Sequence, residues 1–384
     1  MEGHQLKGRR LAFPFSSFHL FPFAASLRRR KRLVAGGTIV CVFYCAALFS
    51  PFLAPYDYRE QSRREPSAPP SALHFRDAEG RWHWRPFVHE RRLTDPLTRR
   101  YAEDTARRFP LELFARGASY RLLGLFETER HLFGVRAATQ GTNAAEATRG
   151  TNAALASTQA PRVNLLGTDA LGRDRLSRLL AASRFSLAVA PLGALLAGGL
   201  GVLVGCLSGY AGRRVDAVLM RAADAMMALP DLVLILAARA AFPVDLPPLR
   251  AGLLLVGIFI VVGWAEMARL TRGLVLQLGQ REFVLAARSL GLPEWRVLFR
   301  HVLPNAARPL VVQASLMLPA FLLAETALSY LGVGLQEPEP SWGNLLAAAN
   351  DLSLLAAQPF ALLAPAFAIF IFVLGVRLLS DGLK

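Results

Sequence analysis

The segment from Arg281 to Arg308 is the feature that most restricts how this chain can fold. It reads REFVLAARSLGLPEWRVLFRHVLPNAAR and lies between two long apolar runs, at 251–270 and 309–330. Each run is about the length that a helix needs to cross a bilayer. Lipid offers no partner for a broken, charged backbone, so the segment between the runs must lie in water beside the membrane. We therefore predict a membrane protein with a large polar loop between two spans.

This segment also predicts two short helices set at an angle. Apolar residues recur at helical spacing up to Leu290, and the string GLP at 291–293 then breaks the helix. Glycine adds backbone freedom there, and proline cannot donate the helical hydrogen bond. A second helix follows from Pro293, and Pro304 ends the unit. The apolar faces expected to meet a partner contain Phe283, Ala286, Ala287 and Leu290 in the first helix and Trp295, Leu298, Phe299 and Val302 in the second.

Hydropathy predicts six transmembrane helices, and charge predicts their direction. Arginines are frequent in the loops at 211–221 and 281–308, whereas the loop at 331–357 contains no Lys or Arg. Basic loops stay in the cytoplasm, so both chain termini are expected on that side. A net charge of +16 is then membrane-flanking charge, and no nucleic-acid partner is expected. The expected spans are 33–54, 185–208, 217–242, 251–270, 309–330 and 358–378.

Two regions lie outside the expected helices. Residues 1–32 form a basic cytoplasmic tail before the first span. Residues 55–163 form a long extracytoplasmic region, whose alternating aromatic and polar residues near 74–90 predict a short strand or hairpin within a small folded lobe. Residues 137–160 are rich in Ala, Thr, Asn and Gln, which predicts a low-complexity insertion; an Ala-rich helix is the alternative.

The string NLLGTDALGRDRLSRLL opens the second apolar region. Thr168 can cap a helix, and the carboxylates of Asp169 and Asp174 could act as an acid/base pair. No histidine or nucleophile lies nearby in sequence, and the neighbouring arginines should pair with the acids. We therefore expect a structural motif and no catalytic residues. The three arginines are Arg173, Arg175 and Arg178.

Charged residues inside apolar runs are candidates for a transport pathway, because each is costly to bury. Asp231 follows Pro230 in DAMMALPDLVL, and the proline should kink this helix where a pathway could open. Glu325 lies in AETALSYLGVGL, where a hydrogen bond to another helix is an equally good interpretation. Asp224, Arg239 and Glu266 are weaker candidates.

The order Ala286-Ala287, three residues, Gly291, then Leu303-Pro304 resembles the cytoplasmic coupling loop of ABC importer permeases of the dipeptide, oligopeptide and nickel transport family. The ending RHVLPN matches that branch, whereas Leu285 stands where the family usually has an acid. The resemblance covers Leu33–Leu53 weakly and 164–382 well, and it implies a permease domain at 164–384. By this resemblance the loop at 281–308 contacts an ATP-binding subunit through Glu282, Ala286, Ala287, Gly291, Trp295, Arg300, His301, Leu303 and Pro304.

The same family resemblance extends to an outer-face motif. It comprises Gly167, Thr168, Asp169, Gly172, Arg173 and Asp174. The family implies an all-α membrane protein of the bacterial inner membrane that forms half of a translocation pathway and works by alternating access. The implied partners are a second permease subunit, two ATP-binding subunits and an extracytoplasmic substrate-binding protein. Peptide, nickel chelate, peptide-like antibiotic and opine remain open as substrates.

Two other functional classes are open to a chain with charged residues in its spans. An ion-coupled transporter or channel using Asp231 and Glu325 would need no ATPase partner. An intramembrane enzyme should cluster catalytic groups at membrane depth, yet the spans contain no histidine. The three lysines, Lys7, Lys31 and Lys384, lack the context of a phosphate-binding loop. We therefore expect no cofactor or metal on this chain, with ATP and Mg in partner subunits.

Overall fold

The computed structural model describes residues 21–77, 79–95, 99–122, 124–135 and 162–383. Residues 1–20 of the expected tail and all of the expected low-complexity insertion at 137–160 lie outside the described residues. The expectations for those two segments therefore stay predictions.

Helices make up most of the described chain. Two precede the expected extracytoplasmic region and ten follow it. The first begins at Phe21, inside the expected tail, and ends at Leu48, before the expected end at residue 54. The helices are α1 (Phe21–Leu48), α2 (Ser50–Leu53), α3 (Arg175–Tyr210), α4 (Arg213–Met227), α5 (Asp231–Ala240), α6 (Pro248–Gly279), α7 (Glu282–Ser289), α8 (Glu294–Val297), α9 (Leu303–Tyr330), α10 (Trp342–Ala347), α11 (Leu352–Ala357) and α12 (Pro359–Leu383).

A β-lobe lies between α2 and α3, so the expected all-α class does not hold for this region. The strand or hairpin expected near 74–90 is confirmed by an antiparallel pair of strands there. One sheet has the antiparallel strand order β1-β2-β3-β6, and β4 and β5 form a separate hairpin. Val88 and Phe109 face each other across β2 and β3 and pack with Val163 in a small apolar core. The strands are β1 (His74–Arg76), β2 (Trp82–Asp95), β3 (Arg100–Leu113), β4 (Arg116–Leu122), β5 (Phe126–Arg130) and β6 (Phe133–Val135).

Among the described residues, five helical segments are long and apolar enough to cross a membrane. The expected span at 217–242 is not one continuous helix, because α4 ends at Met227 and α5 begins at Asp231. Pro230 precedes α5 in an extended conformation, which agrees with the predicted break. The five segments are Arg30–Leu48, Arg175–Tyr210, Pro248–Gly279, Glu294–Tyr330 and Pro359–Leu383.

Glycines bring α3 and α6 into close contact, as the small residues of GALLAGGLGVLVG predict. A Cβ at Gly201 would lie 2.6 Å from the Cβ of Met267. At Gly205 it would lie 2.5 Å from the carbonyl oxygen of Ala268. These distances are shorter than real carbon contacts, so the two backbones can approach this closely only without side chains there.

A second glycine contact joins α1 to α12. A Cβ at Gly36 would lie against the backbone nitrogen of Leu379 and 2.6 Å from the carbonyl oxygen of Gly375. The neighbouring Gly37 has room for a Cβ, since the nearest atom would be Leu379 Cδ1 at the ordinary contact distance of 3.8 Å. The first span is thus fixed to the last through one glycine of an adjacent pair.

This pair makes a matched test of the α1–α12 contact. Gly36→Ala places a methyl group against backbone atoms that cannot rotate away, which should cost about 1–3 kcal/mol and lower the melting temperature of the purified protein by several degrees. Gly37→Ala should leave the melting temperature unchanged or raise it slightly, because alanine favours the helix. Equal melting temperatures for the two variants would show that α1 does not pack on α12 in this way.

Candidate functional site

The segment from α7 to the start of α9 forms the predicted pair of short helices. α7 ends before Gly291, whose φ of +76° lies in the left-handed region that glycine adopts most easily. Pro293 then caps the start of α8. A π-helical turn at Leu298–Val302 joins α8 to α9. The structure therefore confirms the predicted helix, the break and the start of a second helix. The expectation that Pro304 ends the unit was wrong, because Pro304 lies in the first turn of α9 and the helical run continues from Glu294 to Tyr330.

One side of this segment is anchored to the transmembrane helices. Val284 and Ala287 of α7 are buried, as are Val297 and Val302 farther along. They form one apolar cluster with Cys206 of α3 and Val275 of α6. The segment is therefore packed against α3 and α6 at this end of the molecule.

The opposite side of the segment exposes large apolar side chains. Leu290 is 82% exposed, Trp295 62% and Phe299 60%. Single exposed apolar residues are ordinary, but a contiguous group of them marks an interaction site. We name this group the coupling surface; it comprises Phe283, Leu285, Leu290, Trp295 and Phe299, all exposed.

The predicted contact residues are divided between the two sides. Of the two alanines, Ala286 is exposed on the side that faces away from the transmembrane helices, whereas Ala287 faces the buried cluster. His301 and Leu303 are half-buried at the junction with α9. The predicted face at 295–302 is also split, because Val302 points inward. The remaining predicted contact residues, Glu282, Gly291, Trp295, Arg300 and Pro304, are exposed.

An ion pair that the sequence reading missed links the two short helices. Arg288 of α7 lies 3.0 Å from each carboxylate oxygen of Glu294 in α8, through Nε and Nη2. This hydrogen-bonded carboxylate raises the pKa of Arg288. Opposite charges that flank the GLP break were the signal in the sequence. Both side chains are exposed, so the pair adds little to the bend that Gly291 and Pro293 already set between the helices.

The motif before α3 is built around two glycines with positive φ. Gly167, at +70°, packs against the carbonyl oxygen of Ala68, and Gly172, at +73°, against that of Ser62. The Thr168 hydroxyl accepts a hydrogen bond from Ala68 N at 2.8 Å. Thr168 therefore does not cap a helix, contrary to expectation, and instead ties the motif to residues 65–68.

Asp169 and Asp174 have different roles, and neither is free for acid/base catalysis. Asp169 Oδ2 accepts from Arg173 Nε at 2.6 Å and from Arg178 Nη1 at 3.0 Å. Glu337, which the sequence reading did not include, lies 2.8 Å from Arg173 Nη1 and 2.7 Å from Arg178 Nη2. The expected pairing of acids with arginines is confirmed for these two arginines. Arg175 instead donates to Gln358 Oε1 at 3.1 Å.

Asp174 is the residue that caps α3. It is fully buried, and its Oδ2 accepts hydrogen bonds from Ser177 N and Ser177 Oγ, each at 2.7 Å. Burial raises the pKa of Asp174 to about 6, although the hydrogen bonds from Ser177 act in the opposite direction. The cap therefore titrates closer to neutral pH than an ordinary carboxylate.

The structure does not bring the pathway candidates Pro230, Asp231 and Glu325 together in one site. Glu325 is fully buried in α9, where its carboxylate accepts from Ser186 Oγ of α3 at 2.9 Å and from Ser329 Oγ at 2.8 Å. Asp231 and Pro230 are exposed at the start of α5. The contacts of Glu325 match the alternative of a hydrogen bond between helices.

Comparisons with known proteins identify chains similar to this one. Residues 201–384 match the family of binding-protein-dependent transport system inner membrane components, and residues 23–70 match the N-terminal transmembrane domain of oligopeptide transport permease C. The chain is 37% identical over 218 residues to the oligopeptide transport system permease protein OppC of Bacillus subtilis, covering 57% of this chain and 69% of that protein. It is 39% identical over 221 residues to the di/tripeptide transport system permease protein DppC of Pseudomonas aeruginosa, covering 57% and 70%.

The cap at Asp174 predicts a pH-dependent stability. Because its pKa is raised in the fold, the carboxyl contributes stability below its ordinary pKa of about 3.9, and this is lost as pH rises through about 6. Asparagine keeps a cap acceptor without titrating. The melting temperature of Asp174→Asn relative to wild type should therefore rise between about pH 4 and pH 7.

Asp351, which caps α11, provides a control of opposite sign. Hydrogen bonds from Ser353 and Leu354 lower its pKa, so its carboxylate contributes stability above its ordinary pKa and loses it as pH falls. The melting temperature of Asp351→Asn should not rise relative to that of wild type as pH rises. The same pH trend in both variants would refute the assignment of the effect to burial of Asp174.

Proposed function

This chain belongs to the permease family of binding-protein-dependent transport systems, in its oligopeptide and dipeptide branch, and from this we propose that it imports peptides as part of an ATP-driven transporter. It is a transport subunit and not an enzyme. Peptides are the proposed substrates because the relatives named above are peptide permeases. The protein lies in the inner membrane and crosses it several times.

The observation that carries the proposal is the coupling surface. Phe283, Leu290 and Trp295 are exposed on a rigid pair of short helices between two transmembrane helices. Aromatic residues that protrude from a well-anchored element are typical of protein interfaces. We propose that this surface docks in a groove of an ATP-binding subunit, with Arg300 at its rim.

The proposed complex contains this chain, a second homologous permease, two ATP-binding subunits and an extracytoplasmic substrate-binding protein. ATP and Mg would be held by the ATP-binding subunits. When these close, they would displace α7 and α8. The apolar cluster around Val284 and Val297 would pass this movement to α3 and α6. The permease pair would then change from outward-facing to inward-facing, which is alternating access.

The proposed orientation places the coupling surface in the cytoplasm and the β-lobe outside. Arg213 and Arg214 begin α4 at the coupling end, where basic residues are expected. Glu337 and Glu339, from the loop without Lys or Arg, contact residues near the β-lobe instead. Both termini would then face the cytoplasm.

Gly291 allows a test that separates docking from folding. Gly291→Arg should insert and fold, because nothing lies within 4 Å of an added Cβ, although the left-handed backbone should cost about 1–2 kcal/mol. The arginine side chain would enter the coupling surface. We expect peptide uptake and co-purification of ATP-binding subunits to be lost.

Gly212 provides the matched control. It also has a positive φ, of +86°, and open space around it, but it lies between α3 and α4, outside the coupling segment. Gly212→Arg should carry the same backbone strain and keep uptake. Normal uptake by Gly291→Arg, or equal loss in both variants, would count against docking at the coupling surface.

A further inference from the structure

A groove of about 660 Å³ lies between α3 and α6 at the end where the β-lobe sits. Its floor is formed by residues of both helices, including Val189, Leu192 and Val256. Its roof is formed by the chain after α2 and by strand β4, which contributes Tyr120 and Arg121. None of the roles assigned above uses this groove.

The groove lies across the expected edge of the bilayer. No charged residue occurs between Arg184 of α3 and Arg213 at the start of α4, or between Arg250 and Glu266 in α6. The uncharged part of α3 is about 40 Å long, which is enough to cross the hydrocarbon core. Arg184 therefore stands at the level where headgroups begin, and Leu192 lies about 12 Å deeper along the helix.

Arg184 provides an unused positive charge in the groove wall. Its Nε donates to the carbonyl oxygen of Ala47 at 3.1 Å, and this is the only hydrogen bond that it makes to residues the structure describes. No carboxylate of those residues lies within 4.0 Å of it. Two acids also line the groove, but they already have partners: Glu339 accepts from Tyr58 and Arg59, and Asp57 accepts from Arg59 N.

Below Arg184 the groove is apolar and open at the side. Leu253, which lies inside Arg250 along α6, is 58% exposed, so the apolar wall of the groove continues onto the outer surface of α6. The neighbouring β4–β5 hairpin also exposes Leu125 and Phe126. This arrangement presents a positive charge at headgroup level above a surface that suits an acyl chain.

We propose that this groove binds a phospholipid of the outer leaflet, with its phosphate at Arg184 and one acyl chain between α3 and α6. Arginine is well suited to phosphate, because its planar donors bind two oxygens at once. A peptide would need polar partners along its backbone, which the lower walls at Leu192 and Val256 do not offer. The bound lipid would fill the space between the β-lobe and the membrane.

The test uses the full chain in its purified complex, reconstituted in phosphatidylethanolamine and phosphatidylglycerol vesicles. A trace of phosphatidylethanolamine with a photoreactive group in the acyl chain is added and crosslinked, and the labelled residues are located by mass spectrometry. Crosslinks are expected on α3 near Leu192 and on α6 near Leu253. A diacylglycerol with the same photoreactive chain but no phosphate should label these sites about tenfold less, the value of one charge-assisted hydrogen bond.

Variants of Arg184 test the phosphate contact directly. Arg184→Gln should reduce labelling by the phospholipid about tenfold and remove its preference over diacylglycerol, whereas Arg184→Lys should keep most of both. Arg377→Gln, which changes an exposed arginine of α12 outside the groove, should match wild type. Because the comparison of the two lipids uses the wild-type protein, it does not depend on how any variant folds.

Three results would overturn the proposal. Equal labelling by the two lipids in wild type would show that phosphate is not recognised. Displacement of the photoreactive phospholipid by excess peptide would assign the groove to the transported substrate. A lack of crosslinks on α3 and α6 in the assembled complex would show that a partner subunit covers the groove.

Discussion

The close contact of α3 with α6 is the interaction on which the rest of the structure depends. Gly201 and Gly205 let the two backbones meet without side chains between them. In lipid, helices gain little by hiding apolar surface, so close van der Waals packing of this kind provides much of the association energy. The motif at 167–174 and the segment at 281–308 are attached to opposite ends of this helix pair.

The two ends of α3 are stabilised by different interactions. At the lobe end, Asp169 and Glu337 neutralise Arg173 and Arg178, whose side chains are nearly buried and would be costly without partners. At the other end, Cys206 joins the apolar cluster beneath α7 and α8. α3 is thus held by ion pairs at one end and by apolar packing at the other.

Local rules predicted the coupling segment well and the charged motif only partly. Helical spacing and the GLP break act within a few residues, so α7, Gly291 and α8 could be read directly. The roles of Thr168 and Arg175 could not, because their partners lie about a hundred or more residues away in sequence, at Ala68 and Gln358. Glu337 was missed for the same reason.

The sequence alone determined that this is a multi-span membrane protein with an amphipathic loop at 281–308, since lipid excludes charge and unpaired backbone whatever the fold. The order of Ala286, Ala287, Gly291, Leu303 and Pro304 in the sequence also indicated the family. The sequence also indicated a kink at Pro230 and a strand or hairpin near 74–90. Only the tertiary structure decided which side of that loop is exposed, how the strands of the β-lobe pair, and that Glu325 bonds to Ser186. These features depend on contacts between distant segments, and apolar periodicity does not specify which neighbour a face will meet.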